Sequence, residues 1–172
     1  MAPSLRGVVG GDDDREGFSV HGLSLRPARA GDGADPAQAW LEGGRYYADL
    51  SPRRFRVPEE IGLANWIESS LATNRGEDES WTVAELDGDV IGDVRARVER
   101  PTRDARWQSM RDLGASMLKI DSLMVREDHR RRGVGTALMN AAEEWGRTRG
   151  ATAVFLSTYH DGPSPVPSTK CG

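Results

Sequence analysis

The stretch from Met117 to Leu156 constrains this chain more than any other. Met117 to Val125 reads as a strand, Arg126 to Arg132 is a charged turn, and a helix begins near Gly133. Val134, Ala137, Leu138, Ala141 and Trp145 recur at helical spacing, which makes one apolar face. Gly150 suits a helix C-cap, and Ala153-Val154-Phe155-Leu156 is a second apolar strand that runs to about Thr158. A strand, an amphipathic crossover helix and a following apolar strand predict a right-handed βαβ unit inside a sheet.

The rest of the chain supplies antiparallel partners for that unit. Leu23 to Pro27 alternates as a short strand ended by proline. Asp35-Pro36 reads as an N-cap followed by proline at the first helical position, with a helix to about Tyr47. A second helix is predicted from near Pro58, with Leu63, Trp66, Ile67 and Leu71 on one face and Asn74 and Gly76 at its end. Trp81 to Leu86 and the run carrying Val90, Gly92, Val94, Ala96 and Val98 form a hairpin about Asp87-Gly88. A polar loop over 101–114 holds Trp107 and Met110. The predicted class is α/β (α+β): a mixed, mostly antiparallel sheet flanked by helices. Residues 1–22 read as a flexible leader, 23–160 as one domain, and 161–172 as a proline-rich irregular tail.

Composition removes several alternatives. The 172 residues suit one domain. No apolar run approaches the ~20 residues that a bilayer requires, and the first residues lack a signal core, so a cytoplasmic protein without membrane association is predicted. The lone cysteine, Cys171, excludes an internal disulfide and a multi-cysteine zinc site, and no metal is expected. With 23 Lys+Arg against 27 Asp+Glu the net charge is −4, which gives no general attraction to nucleic acid and mildly suits a cationic substrate.

The turn Arg130-Arg131-Arg132-Gly133-Val134-Gly135 is where chemistry is expected. The first turn of a helix offers unpaired N–H groups and the positive end of the dipole. Glycines admit a phosphate close to the backbone, and three arginines add charge. The inference is a phosphate or pyrophosphate cradle. A Gly-Lys-Ser/Thr ending is absent, so it is no Walker loop, and the third glycine of a dinucleotide fingerprint would fall at Leu138.

This region resembles the signature of the Gcn5-related N-acetyltransferases (GNAT), whose motif Gln/Arg-x-x-Gly-x-Gly/Ala is matched by Arg130, Gly133 and Gly135. The Leu-x-Val strand before it, the helix stripe, and the Gly-Ala-x-x-Val-x-Leu strand after it extend the resemblance, which covers about residues 23–160. It implies transfer of an acetyl group from acetyl-CoA, as cosubstrate, to an amine of a small molecule or peptide in a ternary complex. It further implies that Arg130, Arg131, Arg132, Gly133, Val134, Gly135 and Thr136 bind the pyrophosphate, chiefly through backbone N–H groups. Leu123 and Val125 would hydrogen-bond the pantetheine arm like an added strand. Val154 to Leu156 would splay away to leave a wedge for the thioester, and an N–H near Leu123 would stabilise the oxyanion.

For the proton acceptor, Asp121 on the key strand is the first candidate, with Glu85 and Asp93 on the hairpin as alternatives. Tyr159 is the candidate proton donor. His160-Asp161 follows it, but neighbours on a strand point to opposite faces, so adjacency is no evidence of a pair.

The family ordinarily continues with a helix and two strands. Here Pro163, Pro165 and Pro167 forbid a helix, so a C-terminally incomplete fold is expected. Codons for Val166 to Gly172, read two bases later, are compatible with Ala-Phe-Tyr-Glu, the residue types the family places there, which predicts a reading-frame shift. An incomplete fold predicts an exposed last strand, self-association as a homodimer or aggregate, and weak turnover. The alternative function is therefore a CoA-binding but catalytically impaired domain.

Overall fold

A computed structural model describes residues 22–73, 76–109 and 111–157. Residues 1–21 of the expected leader and the whole expected tail, with Tyr159, His160, Asp161 and Cys171, lie outside them, as does Met110. The elements run β1 (Ser24–Pro27), α1 (Ala34–Leu50), α2 (Leu63–Thr73), β2 (Glu79–Leu86), β3 (Asp89–Glu99), β4 (Met117–Val125), α3 (Val134–Thr148) and β5 (Ala153–Leu156). They form one sheet in the order β1-β2-β3-β4-β5. The first four strands are antiparallel, and β5 lies parallel to β4 across the α3 crossover. The mixed α+β architecture is the predicted one.

Strand alternation divides the core into two layers. Ala84, Val94, Ala96, Val98, Leu118 and Ile120 face α3, where Val134, Leu138 and Ala142 fill the gap. Trp81 points the other way, against Ala37 and Leu41 of α1 and Leu63, Ile67 and Leu71 of α2. Helices thus cover opposite faces of one sheet, each with its own apolar cluster. Among the described residues no helix is long and apolar enough to cross a membrane.

Several boundaries differ from the sequence reading for local reasons. Helix α1 starts at Ala34 with Gly33 as N-cap. Asp35 does not cap it, because its Oδ2 accepts the N–H of Val90 at 3.3 Å. Glu68 of α2 serves that end instead, taking the N–H groups of Gly31 and Gly33. Helix α2 begins at Leu63, not near Pro58, and Trp66 stays half exposed rather than joining the apolar face. Ile91 is an extra residue opposite β2, since Ala84 pairs with Gly92 and Glu85 with Val90. That bulge breaks the predicted single-face alternation, so that Val90 and Ile91 are both buried. The loop 101–114 holds two short 3₁₀ turns, Arg103–Trp107 and Arg111–Gly114. Trp107 lies mostly exposed beneath the Arg106 guanidinium. On β5, Val154, Phe155 and Leu156 are each about half exposed.

Candidate active site

Strand β4 carries the site because its two halves have different neighbours. Met117 to Ile120 pair with Ala153 to Leu156 of β5, and the pairing stops there. On the β3 side Arg95 pairs with Ser122 and Ala96 with Ile120, leaving Asp121 as an extra, bulged residue. A bulge bends and twists its strand, and here it marks the point where β4 and β5 part. Beyond it, Arg126 N–H donates to Ile91 C=O at 3.0 Å. Antiparallel alternation then turns the N–H and C=O groups of Val125 and Leu123 away from β3, toward the side that β5 has left. A cleft of about 310 Å³ opens beside them, lined by Gly43, Tyr46 and Tyr47 of α1, by Leu123 to Val125, and by Arg130.

Strand β4 leads directly into the glycine-arginine turn. Arg131 and Gly133 both adopt the left-handed backbone, with φ of 60° and 83°. Gly133 is the N-cap of α3, and the first bonded donor of that helix is Ala137 N–H to Gly133 C=O. Among the described residues, none of the six N–H groups from Arg131 to Thr136 has an acceptor. They form a nest of donors at the positive end of a 15-residue helix. A Cβ on Gly135 would meet Leu123 and Val125 at 3.6 and 3.8 Å, ordinary contact distances. Gly135 therefore has room for a side-chain carbon, and only Gly133 is demanded by backbone conformation.

The side chain of Arg130 does not point freely outward. Its Nε donates to the C=O of Val125 at 2.9 Å, and its Nη2 stands 3.7 Å from Glu42 Oε2. The same Glu42 oxygen accepts the N–H of Glu127 at 2.7 Å. Glu42, on α1, thus ties the turn to the helix that walls the cleft. Arg131, Arg132 and Thr136 are exposed, and Arg126 reaches Asp128. Hydrogen bonding to His129 holds the Asp128 carboxyl below the usual range.

The carboxylates weighed as bases occupy three different settings. Asp121 accepts from Arg97 Nη1 at 3.2 Å and is partly exposed. Glu85 accepts from Arg26 Nε at 2.6 Å, in an ion network that includes Asp32. Asp93 is 3% exposed. Its Oδ2 accepts Trp81 Nε1–H at 2.9 Å, and its Oδ1 has no partner among the described residues. Burial pushes the Asp93 carboxyl up to about 7, against the opposing pull of the Trp81 hydrogen bond and of Arg95.

The model of the acetyltransferase (GNAT) family matches residues 42–165. The chain belongs to the GNAT acetyltransferase family. Solved structures agree at the level of fold. A mutant of the BH1408 protein from Bacillus halodurans superposes with a TM-score of 0.66 at 17% identity, over 79% of this chain and 82% of that one. Glucosamine-6-phosphate N-acetyltransferase from Arabidopsis thaliana gives 0.57 at 14%, over 80% and 82%. An aminoglycoside acetyltransferase, HMB0005, from an uncultured soil metagenomic sample gives 0.50 at 20%, over 80% of each. No curated protein matches the chain in sequence.

This GNAT domain brings the predicted cosubstrate residues Leu123, Val125 and Arg130 to Thr136 into one continuous strand-and-turn surface. It sets Asp121 at the bulge and Glu85 apart on the β1 side. Tyr46 and Tyr47 at the cleft, and Glu42 behind the turn, were missed. Only a helical repeat places them, and nothing in their local sequence marks them out.

Proposed function

We propose that this chain transfers the acetyl group of acetyl-CoA to a primary amine of a small molecule or peptide, by direct attack within a ternary complex. The observation that carries the reading is the open edge of β4, followed after the short 3₁₀ turn Glu127–His129 by six N–H groups at the start of α3 that have no acceptor among the described residues. One end offers an extended strand partner for an amide-bearing arm, and the other offers donors for a pyrophosphate. The N–H groups of Arg131 through Thr136 hold the pyrophosphate, with Arg131 and Arg132 adding charge. Leu123 and Val125 take the pantetheine through their backbone, which requires Arg130 to release the Val125 C=O. A β4 N–H near Leu123 stabilises the oxyanion as the amine attacks. Asp121, at the bulge, meets the incoming ammonium, and Tyr159 protonates the departing thiolate. No metal enters this scheme. An acetyl-CoA-dependent role suits a cytoplasmic enzyme, and the exposed apolar β5 supports self-association, which light scattering of the purified chain tests.

The experiment is titration of the full chain with acetyl-CoA, followed by thiol release across a panel of amines. Saturable binding with acceptor-dependent thiol release is the expected result. Binding with no release for any amine supports the CoA-binding domain without turnover, and absence of binding removes the reading.

A further inference from the structure

The α1–α2 face of β3 and β4 carries a polar row that runs inward. Along β3 the same face presents Glu99, Arg97, Arg95 and Asp93. The side chains of Glu99 and Arg97 are two-fifths exposed, whereas Asp93 is buried. Across on β4, Lys119 reaches Glu99 and Asp121 reaches Arg97, while Ser122 sits opposite Arg95 and Met124 opposite Asp93. The outer members are ion-paired. The inner end holds two oxygens that no described group satisfies, Asp93 Oδ1 and Ser122 Oγ, both fully buried. Burying such atoms without a partner costs about 1–3 kcal/mol each, so a pair of them on one face calls for a shared occupant. Ser122 sits opposite Arg95, two positions along β3 from Asp93, so the two are diagonal neighbours, a spacing of about 7 Å in an antiparallel pair that is short enough for one water to bridge. Met124, next to both, lines the cleft beside the open β4 edge.

We propose that Asp93 is the proton acceptor for the amine, reached through a water held between its Oδ1 and Ser122 Oγ, with Asp121 at the mouth of the row drawing in the ammonium. This rests on the acetyl-transfer reading. In the step, an N–H bond of the ammonium breaks and its proton passes to the water. The water gives one of its own protons to the Asp93 carboxylate, leaving a neutral amine free to attack. The second oxygen of Asp93 stays on Trp81 Nε1–H, which fixes the carboxylate plane. The charged group that acts on Asp93 is Arg95, which also lies 4.4 Å over the Trp81 ring. The residues that α1 and α2 bury carry no titratable group. A carboxyl raised toward neutrality is matched to this task, since about half of it is ionised near pH 7 and the ionised half is basic enough to take the proton.

The test uses the full chain and two readouts. The first is the pH profile of kcat/KM, expected to rise through an acid limb near pH 7. Asp93→Asn keeps an oxygen for Trp81 but cannot accept a proton. It should abolish that limb and lower the rate at pH 8 about 100-fold, with acetyl-CoA binding unchanged. Trp81→Phe removes a bond that favours the carboxylate and should move the limb to higher pH. Ser122→Ala should lower the rate while keeping the limb. The second readout needs no turnover: the Trp81 indole N–H resonance should titrate near pH 7 and stop doing so in Asp93→Asn. An acid limb that survives in Asp93→Asn, or an indole resonance that is flat from pH 5 to 9, overturns the proposal while leaving acetyl transfer standing. Failure of the wild-type chain to bind acetyl-CoA overturns both.

Discussion

The two faces of the sheet use the same strands for opposite ends. Toward α3, β3 and β4 present apolar side chains, with Val94, Ala96, Val98, Leu118 and Ile120 buried against Leu138 and Val134 and with Leu123 and Val125 packed beside them. Toward α1 and α2 the alternate positions of those strands present Asp93, Arg95, Arg97 and Asp121, and two buried oxygens there lack a partner. A face of aliphatic side chains is what holds the domain together. A face that buries a carboxyl is a liability to stability and is explained by what the carboxyl does. The contrast predicts that substitutions on the first face unfold the chain with little meaning for chemistry, and that those on the second alter chemistry at small or even negative cost to stability.

The largest effect is expected from Leu138→Ala. Leu138 is fully buried at the centre of the α3 layer, and truncating such a leucine costs about 2–5 kcal/mol. Thermal or urea unfolding measures it. A loss below about 1 kcal/mol would mean that the α3 face is not the main stabilising layer.

Next comes Asp93→Asn, with the opposite sign. The folded carboxyl titrates near 7 against 3.8 for a free one. The native state therefore binds the proton more tightly than the unfolded chain does. Its contribution is fully present below about pH 4 and is lost as pH rises through 7. At pH 8 the buried charge costs on the order of 4 kcal/mol. Asparagine cannot ionise, so the variant should be the more stable protein at pH 8 and should lack the decline between pH 4 and 8. Unfolding curves at pH 5 and pH 8 decide this.

Gly133→Ala acts at the junction of the two faces, where β4 passes into α3. Its φ of 83° places a Cβ in the left-handed region, at a cost of about 1–2 kcal/mol. The strain falls on the donor nest itself. Acetyl-CoA affinity should drop about tenfold while unfolding shifts only modestly. Gly135→Ala, which meets ordinary contact distances, is the control that should leave both nearly unchanged. Equal losses in the two variants would mean that the turn tolerates no added bulk at all.

Much of the architecture was legible because it rests on local rules. The 3.6-residue stripe of α3, the Asp87-Gly88 turn, the strand pattern of β4 and the apolar run of β5 each announce themselves within a dozen residues. What stayed hidden is set by contacts distant in sequence. Asp35 looks like a cap until Val90, 55 residues away, takes its oxygen. The bulges at Ile91 and Asp121 arise from the pairing of strands, so no strand read alone shows them. Glu42 is one glutamate among many on a helix surface, and its bond to Glu127 spans 85 residues. Asp93 reads as the polar member of an alternating strand. It is the α1–α2 layer that turns such a position into a buried one.

The smallest effect probes the mouth of the polar row. Arg97 joins Asp121 at 3.2 Å and Glu99 at 3.3 Å, with its side chain two-fifths exposed. Pairs in that setting are worth about 0–1 kcal/mol and weaken with salt, so Arg97→Gln should leave unfolding within about 0.5 kcal/mol of the wild type. Its consequence should appear in kinetics instead. Asp121 loses its resident cation and becomes the freer partner for an incoming ammonium, so the acceptor KM should fall about threefold at low salt with kcat unchanged. An unchanged KM would reduce the Arg97–Asp121 pair to surface charge and leave the buried end of the row, not its mouth, as the part of this face that matters to the reaction.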